Sequence, residues 1–200
     1  MCHRRLAIPF VLALVVLTAA CHGADEVVGG NSQVRVMLTD APSDLIASAR
    51  VTISRVYVVG GDSGSVDLMS PSDAALSFDL LDLRNGVEAL LADRAIPAAT
   101  YGQLRLVVDE AEVTLADGVT FEDGTSTRTL RVPSGMQSGI KVQLATPIDA
   151  DPGELTLVVV DFDVDRNFVV QGNPDTPAGV NSVLFTPVLL EKRREAAPLP

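Results

Sequence analysis

From Gln33 onward, apolar and polar positions alternate with a period of two. Val34-Arg35-Val36-Met37-Leu38 and Val51-Thr52-Ile53-Ser54-Arg55-Val56-Tyr57-Val58-Val59 put apolar or β-branched side chains on one face and polar ones on the other. That is the pattern of half-buried strands. Shorter strands are expected at Ser65–Met69 and Ser77–Leu83, and at Arg128–Val132, Ile140–Leu144, Leu155–Val164, Phe168–Val170 and Val183–Leu190. Tyr101–Asp109 and Glu112–Leu115 read as two strands, with Asp109, Glu110 and Glu112 clustered between them. Only Gly86–Arg94 departs from the pattern: Val87, Leu90 and Leu91 recur at helical spacing and predict one short helix before Pro97. Turn signals such as Gly60-Gly61-Asp62, Ala116-Asp117-Gly118, Asp151-Pro152-Gly153 and Gly172-Asn173-Pro174 separate the strands. Many short strands with little helix between them predict an all-β domain, an antiparallel β-sandwich with one short helix. It spans residues 33–190, and the charged residues 191–200 read as a disordered tail.

The first residues follow another rule. Arg4 and Arg5 precede an apolar run from Leu6 to Leu17, and Thr18-Ala19-Ala20-Cys21 follows. This is the order of a bacterial export signal, and Leu6–Ala20 is shorter than the ~20 residues that span a bilayer. Ala19-Ala20-Cys21 resembles a lipobox, although Thr18 stands where Leu is usual. The expectation is a signal peptide over residues 1–20, cleaved ahead of a lipidated Cys21, with residues 21–32 as a flexible tether. The protein then sits in the cell envelope, held to the membrane by its N-terminal lipid. In a Gram-negative host His22 is no inner-membrane retention residue, so the outer membrane is the expected destination; otherwise the protein is secreted or surface-bound.

Composition narrows the chemistry. The 200 residues carry 15 Lys+Arg against 26 Asp+Glu. Removing residues 1–20 takes away Arg4 and Arg5 and no acid, leaving 13 basic against 26 acidic side chains and a net charge of −13. Such an acidic domain is not built to grip nucleic acid, which needs clustered Lys and Arg. The two cysteines are Cys2 and Cys21, so no disulfide staples the domain. The two histidines, His3 and His22, also precede it. The loss of histidine removes Ser-His-Asp and Cys-His catalysis and His-ligated zinc, and it argues against an enzyme.

Carboxylates remain. Asp161, Asp163 and Asp165 alternate on an expected strand and would share one face, where three like charges call for solvent, Arg166 or a cation. Calcium suits such oxygens, but the EF-hand pattern is absent, since Arg166 and Gly172 stand where Gly and Glu are needed. Asp40, Asp109, Glu110 and Glu112 are further candidates for binding loops. A carboxylate-dependent hydrolase would need two of these acids facing each other across a cleft. The bland alternative for all of them is a solvated strand face or a turn.

Six segments follow one another along the chain: Val36-Met37-Leu38-Thr39-Asp40-Ala41-Pro42, Leu80-Leu81-Asp82-Leu83-Arg84-Asn85-Gly86, Ile96–Leu106, Val132–Lys141 around Pro133-Ser134-Gly135, Val160-Asp161-Phe162-Asp163 and Phe185-Thr186-Pro187-Val188. In that order they resemble domain-of-unknown-function family 4382, a group of bacterial and archaeal envelope proteins. Ala99 departs from the usual Gly before Thr-Tyr. The resemblance implies an exported or lipid-anchored β-rich domain and supplies no catalytic residues. The combined expectation is a non-enzymatic binding or structural module whose recognition lies in loops at one end of the sandwich. A calcium- or carbohydrate-binding module using the acidic loops and a carboxylate-dependent hydrolase are the alternatives. No protein partner or ligand is legible.

Overall fold

A computed structural model describes residues 30–62, 64–133, 138–174, 176 and 179–199. The expected signal peptide, Cys21 and most of the tether lie outside the described residues. Among the described residues thirteen strands are formed: β1 Asn31–Thr39, β2 Ile46–Gly60, β3 Ser65–Met69, β4 Leu76–Asp79, β5 Ala89–Pro97, β6 Ala99–Leu115, β7 Thr127–Leu130, β8 Ile140–Gln143, β9 Ile148–Ala150, β10 Glu154–Asp161, β11 Phe168–Gly172, β12 Val180–Phe185 and β13 Leu189–Pro198. A 3-10 turn, Leu80–Leu83, and one short helix, α1 Val164–Asn167, complete the set. The domain begins before Gln33. Ser32 is already buried in β1, and its hydroxyl donates to the Glu154 carbonyl at 2.9 Å.

The sheet runs β3-β2-β6-β8-β13-β10-β1-β5, and β11 pairs with β12 as a separate hairpin. β2 and β6 are long and pair antiparallel, with register shifts at Thr52/Ile53 and Val59/Gly60 among others. Such bulges bend a strand and raise its twist, so two ribbons of this length curl. The two ends of the path face each other, with the Arg94 guanidinium on the Asp67 carbonyl. The result is a sandwich close to a barrel.

The core is the inward set of alternating residues. β1 supplies Val34, Val36 and Leu38, which face Ile53, Leu104 and Leu106 of the long ribbons in one continuous cluster. Each such side chain contributes roughly 1.5–3 kcal/mol by leaving water.

The structure corrects several expectations. Gly86–Arg94 is not a helix. Asn85 and Gly86 form a turn at φ 60 and 83, and Ala89–Pro97 pairs with β1. A register shift at Val36/Met37 sets Leu91 and Ala92 inward side by side, so of the three residues at helical spacing only Leu91 is buried, and Val87 and Leu90 are exposed. Ser77–Leu83 is a strand only as far as Asp79, whose carboxylate accepts the Leu81 N–H and starts the 3-10 turn.

The two strands expected around Asp109 are one strand, β6. Residues 191–198 are not a tail but the body of β13, paired antiparallel with β10 from Asp161↔Leu190 to Glu154↔Pro198. The sheet is also not wholly antiparallel, because β1 pairs parallel with β10 and β8 with β13. Strands so distant in sequence meet through long crossovers, which a parallel pair requires.

Candidate functional site

β1 and β10 run parallel and stop together at Thr39 and Asp161. From there one chain leaves through Asp40-Ala41-Pro42 and the other enters α1 through Phe162-Asp163. The Thr39 hydroxyl faces the Leu83 and Val87 carbonyls, and the Phe162 N–H donates to the Thr39 carbonyl at 3.0 Å. Asp40, 2% exposed, donates its N–H to Leu83 and accepts the Val164 N–H on Oδ1 at 2.9 Å. Its Oδ2 is buried with no partner. Burial pushes the Asp40 carboxyl up to about 7, against the pull of the Ala41 and Val164 N–H groups and with a further push from the Asp161 and Asp163 charges.

Asp161 and Asp163 are the neighbours of Asp40, and each already has structural work. Asp161 Oδ1 accepts the Asp163 N–H at 3.2 Å, and its Oδ2 lies 3.9 Å from Lys192 Nζ. Asp163, at φ 38, caps α1 by accepting the Arg166 N–H and pairs with the Arg166 guanidinium at 3.3 Å. Asp165 is exposed on α1.

The shared face expected of Asp161, Asp163 and Asp165 is therefore not formed, because β10 ends at Asp161 and strand alternation stops with it. Among the described residues no three acids gather in an arrangement that holds a metal ion.

Asp109, Glu110 and Glu112 are not loop residues. They lie within β6, where Asp109 and Glu110 are consecutive exposed positions at the bulge opposite Thr52/Ile53. Asp109 accepts the Ser54 hydroxyl at 2.9 Å, and Glu112 stands across from Arg50. β8 and β13 separate this face from Asp161 at the end of β10, so the two acid groups do not converge. The solvated-face reading suits these residues.

Sequence reasoning passed over Asn167, which is fully buried. Its side-chain amide nitrogen lies against the carbonyls of Phe162, Asp163 and Val188, and its Oδ1 accepts the Val188 N–H. Phe162 and Phe168 pack on Phe185, with ring centroids 6.2 and 5.0 Å apart. The Asp161–Asp163 segment is thus bolted to Phe185-Thr186-Pro187-Val188. A buried Asn gives no periodic signal, since its spacing is that of any polar residue.

On the other side of that segment an open groove of about 530 Å³ runs beside β8. Its walls are Val132, Pro133 and Ile140 on one side and Thr186, Pro187 and Val188 on the other, with Lys141 and Gln143 on β8. A second hollow of about 320 Å³, lined by Arg131 and Leu184, adjoins it through Pro133 and Thr186. Lys141 and Arg131 make no ion pair among the described residues. Gly139, at φ 67, is pressed under Tyr57 and Arg105, whose side chains both reach the Ser138 carbonyl.

Residues 31–176 match the family described as Domain of unknown function (DUF4382). The chain belongs to that family. No curated protein and no solved structure matches it. Within the DUF4382 domain, the Thr39–Pro42, Leu80–Gly86 and Asp161–Asp163 segments meet at one end of the β1/β10 pair, with residues 185–188 against them. Beyond the matched region, β12 and β13 still complete this end, because Val188 and Leu189 hold α1 and β8 in place.

Proposed function

We propose that this DUF4382 protein is a lipid-anchored module of the cell envelope that acts by binding and not by catalysis, with the groove beside β8 as its binding surface. The observation that carries this reading is the groove's position and chemistry. It is an open hollow of about 530 Å³, its walls are mainly apolar, and its charged lining residue is one lysine on an otherwise acidic domain. The acids, by contrast, serve as caps or sit on exposed strand faces. The carbohydrate alternative lacks support because both tyrosines are buried and neither lines the groove. Arg4, Arg5, the apolar run and Ala19-Ala20-Cys21 support the anchor.

Two experiments test this reading. Cys21→Ser is expected to move the protein out of the detergent-extracted membrane fraction; continued membrane association would refute the anchor. Folded protein is expected to enhance the fluorescence of anilinonaphthalene sulfonate, an apolar anion. Lys141→Glu and Val188→Glu should each weaken that binding by roughly tenfold or more with little change in melting temperature, since both side chains are exposed. An unchanged affinity in both variants would remove the groove from consideration.

A further inference from the structure

Asp40 is a buried carboxyl group that no ion pair accounts for. Oδ1 is held by the Val164 N–H and the Ala41 N–H also favours the charged form, while Oδ2 is buried and makes no hydrogen bond. From β10, Asp161 faces it, with Lys192 of β13 against Asp161 and not against Asp40. From α1, Asp163 faces it, with Arg166 turned to Asp163. From the 3-10 turn only the Leu83 carbonyl reaches it, for Asp82 and Arg84 are exposed and Glu88 is paired with Arg193. A bare carboxylate here would be a third negative charge in a dry corner, with neither nearby cation touching it.

We propose that Asp40 is a proton-controlled latch. Protonated, it holds the end of β1 against the α1 turn; on losing its proton it drives that turn toward water. The strain passes to the groove, because α1 ends in Asn167, and Asn167 holds Val188, one of the groove walls. The latch goes beyond the binding reading and stands whether or not the groove takes a ligand.

The sign of the effect follows from the direction of the shift. Asp40 ordinarily titrates at 3.8 and is raised to about 7 in the fold, so the folded protein keeps a proton that the unfolded chain gives up between those values. The stability linked to this proton is full at low pH, falls as pH rises toward 7, and is gone above it. Both histidines precede residue 30, so no other side chain in the domain has its ordinary titration range between about pH 5 and 8.

The test uses the full chain in detergent, with urea unfolding and amide exchange at Val164 and Val188 followed from roughly pH 5.5 to 8. The unfolding equilibrium constant is expected to rise at least tenfold over that range, about one pKa unit of linkage. Exchange at Val164 and Val188, corrected for its intrinsic pH dependence, is expected to accelerate by a similar factor. Asp40→Asn, which is neutral at every pH, should flatten the profile and match or exceed the wild type at pH 8. A flat wild-type profile overturns the latch, and so does an Asp40→Asn profile that keeps the wild-type slope. If about 5 mM calcium at pH 8 restores the wild type but not Asp40→Asn, a cation and not a proton meets the charge, and the proposal falls. Should Asp40→Asn fail to fold, the wild-type profile with and without calcium decides.

Discussion

Replacing Asn167 with Ala is expected to lower the unfolding free energy by about 3 kcal/mol, read from urea denaturation at a fixed pH. Asn167 is fully buried, and truncating it leaves the buried Phe162 carbonyl and the half-buried Val188 N–H and carbonyl without this partner. A buried group left unpaired costs roughly 1–3 kcal/mol, so even partial relaxation leaves a large loss. The damage should be local before it is global. Amide protection should fall first at Val188, whose N–H rests on this one side chain. Asn167→Asp should do no better, since the carboxylate keeps the acceptor but loses the donors and adds a charge beside Asp163. A loss below about 0.5 kcal/mol in Asn167→Ala would mean that α1 and the 186–188 segment are held by aromatic packing alone.

A second large effect is expected at Gly60→Ala, on the order of 3 kcal/mol or more. Gly60 has φ 144, and a Cβ there would lie 2.6 Å from the Thr100 carbonyl oxygen and 2.8 Å from Tyr101 Cα. Both are backbone atoms of β6, paired at this register, and cannot swing aside. The matched control is Gly102→Ala, on the partner strand β6 two positions after Thr100, where a Cβ meets nothing within 4 Å and no positive φ is required. It should be neutral or slightly stabilising, because Ala loses less backbone entropy than Gly. Thermal melts of the pair give the contrast. Similar melting temperatures for the two variants would show that the β2 end can shift its register without cost.

Strand positions were legible where one face is buried and the other wet. β1 is the clearest case, with Val34, Val36 and Leu38 inside and Gln33, Arg35 and Met37 between them. Legibility failed wherever a bulge broke the alternation. At Asp109-Glu110 two exposed residues in succession look like a strand end, though the backbone continues as β6 and only its register slips. At Leu90-Leu91 the bulge opposite Val36/Met37 leaves adjacent apolar residues, one exposed and one buried, which with Val87 have the spacing of a helix turn. β13 failed differently. Beyond Leu189 it carries few inward apolar residues, and it is held by its ladder to β10 and by ion pairs such as Arg193–Glu88 and Lys192–Asp161. Backbone pairing of that kind leaves no mark on hydropathy.

The acids show the same division. Sequence alone placed Asp161 and Asp163 together because they are two residues apart. It could not join them to Asp40, more than a hundred residues away, because that meeting depends on β1 and β10 lying parallel and stopping at the same level. Nor could it separate Asp165 from them, because the change from strand to α1 occurs between Asp161 and Val164.

What the sequence by itself determined is the all-β class, the family, and a domain free of histidine and cysteine, since alternation and composition are local properties that survive any arrangement of strands. Tertiary structure alone decided that the sheet curls nearly closed, that the 191–198 segment is a strand, and that motifs scattered from Thr39 to Val188 share one corner. The physical reason is the range of the interactions. Alternation records which side of a residue faces the core, whereas parallel pairing, a buried Asn bracket and a desolvated Asp40 are made by groups that meet only after the chain has folded.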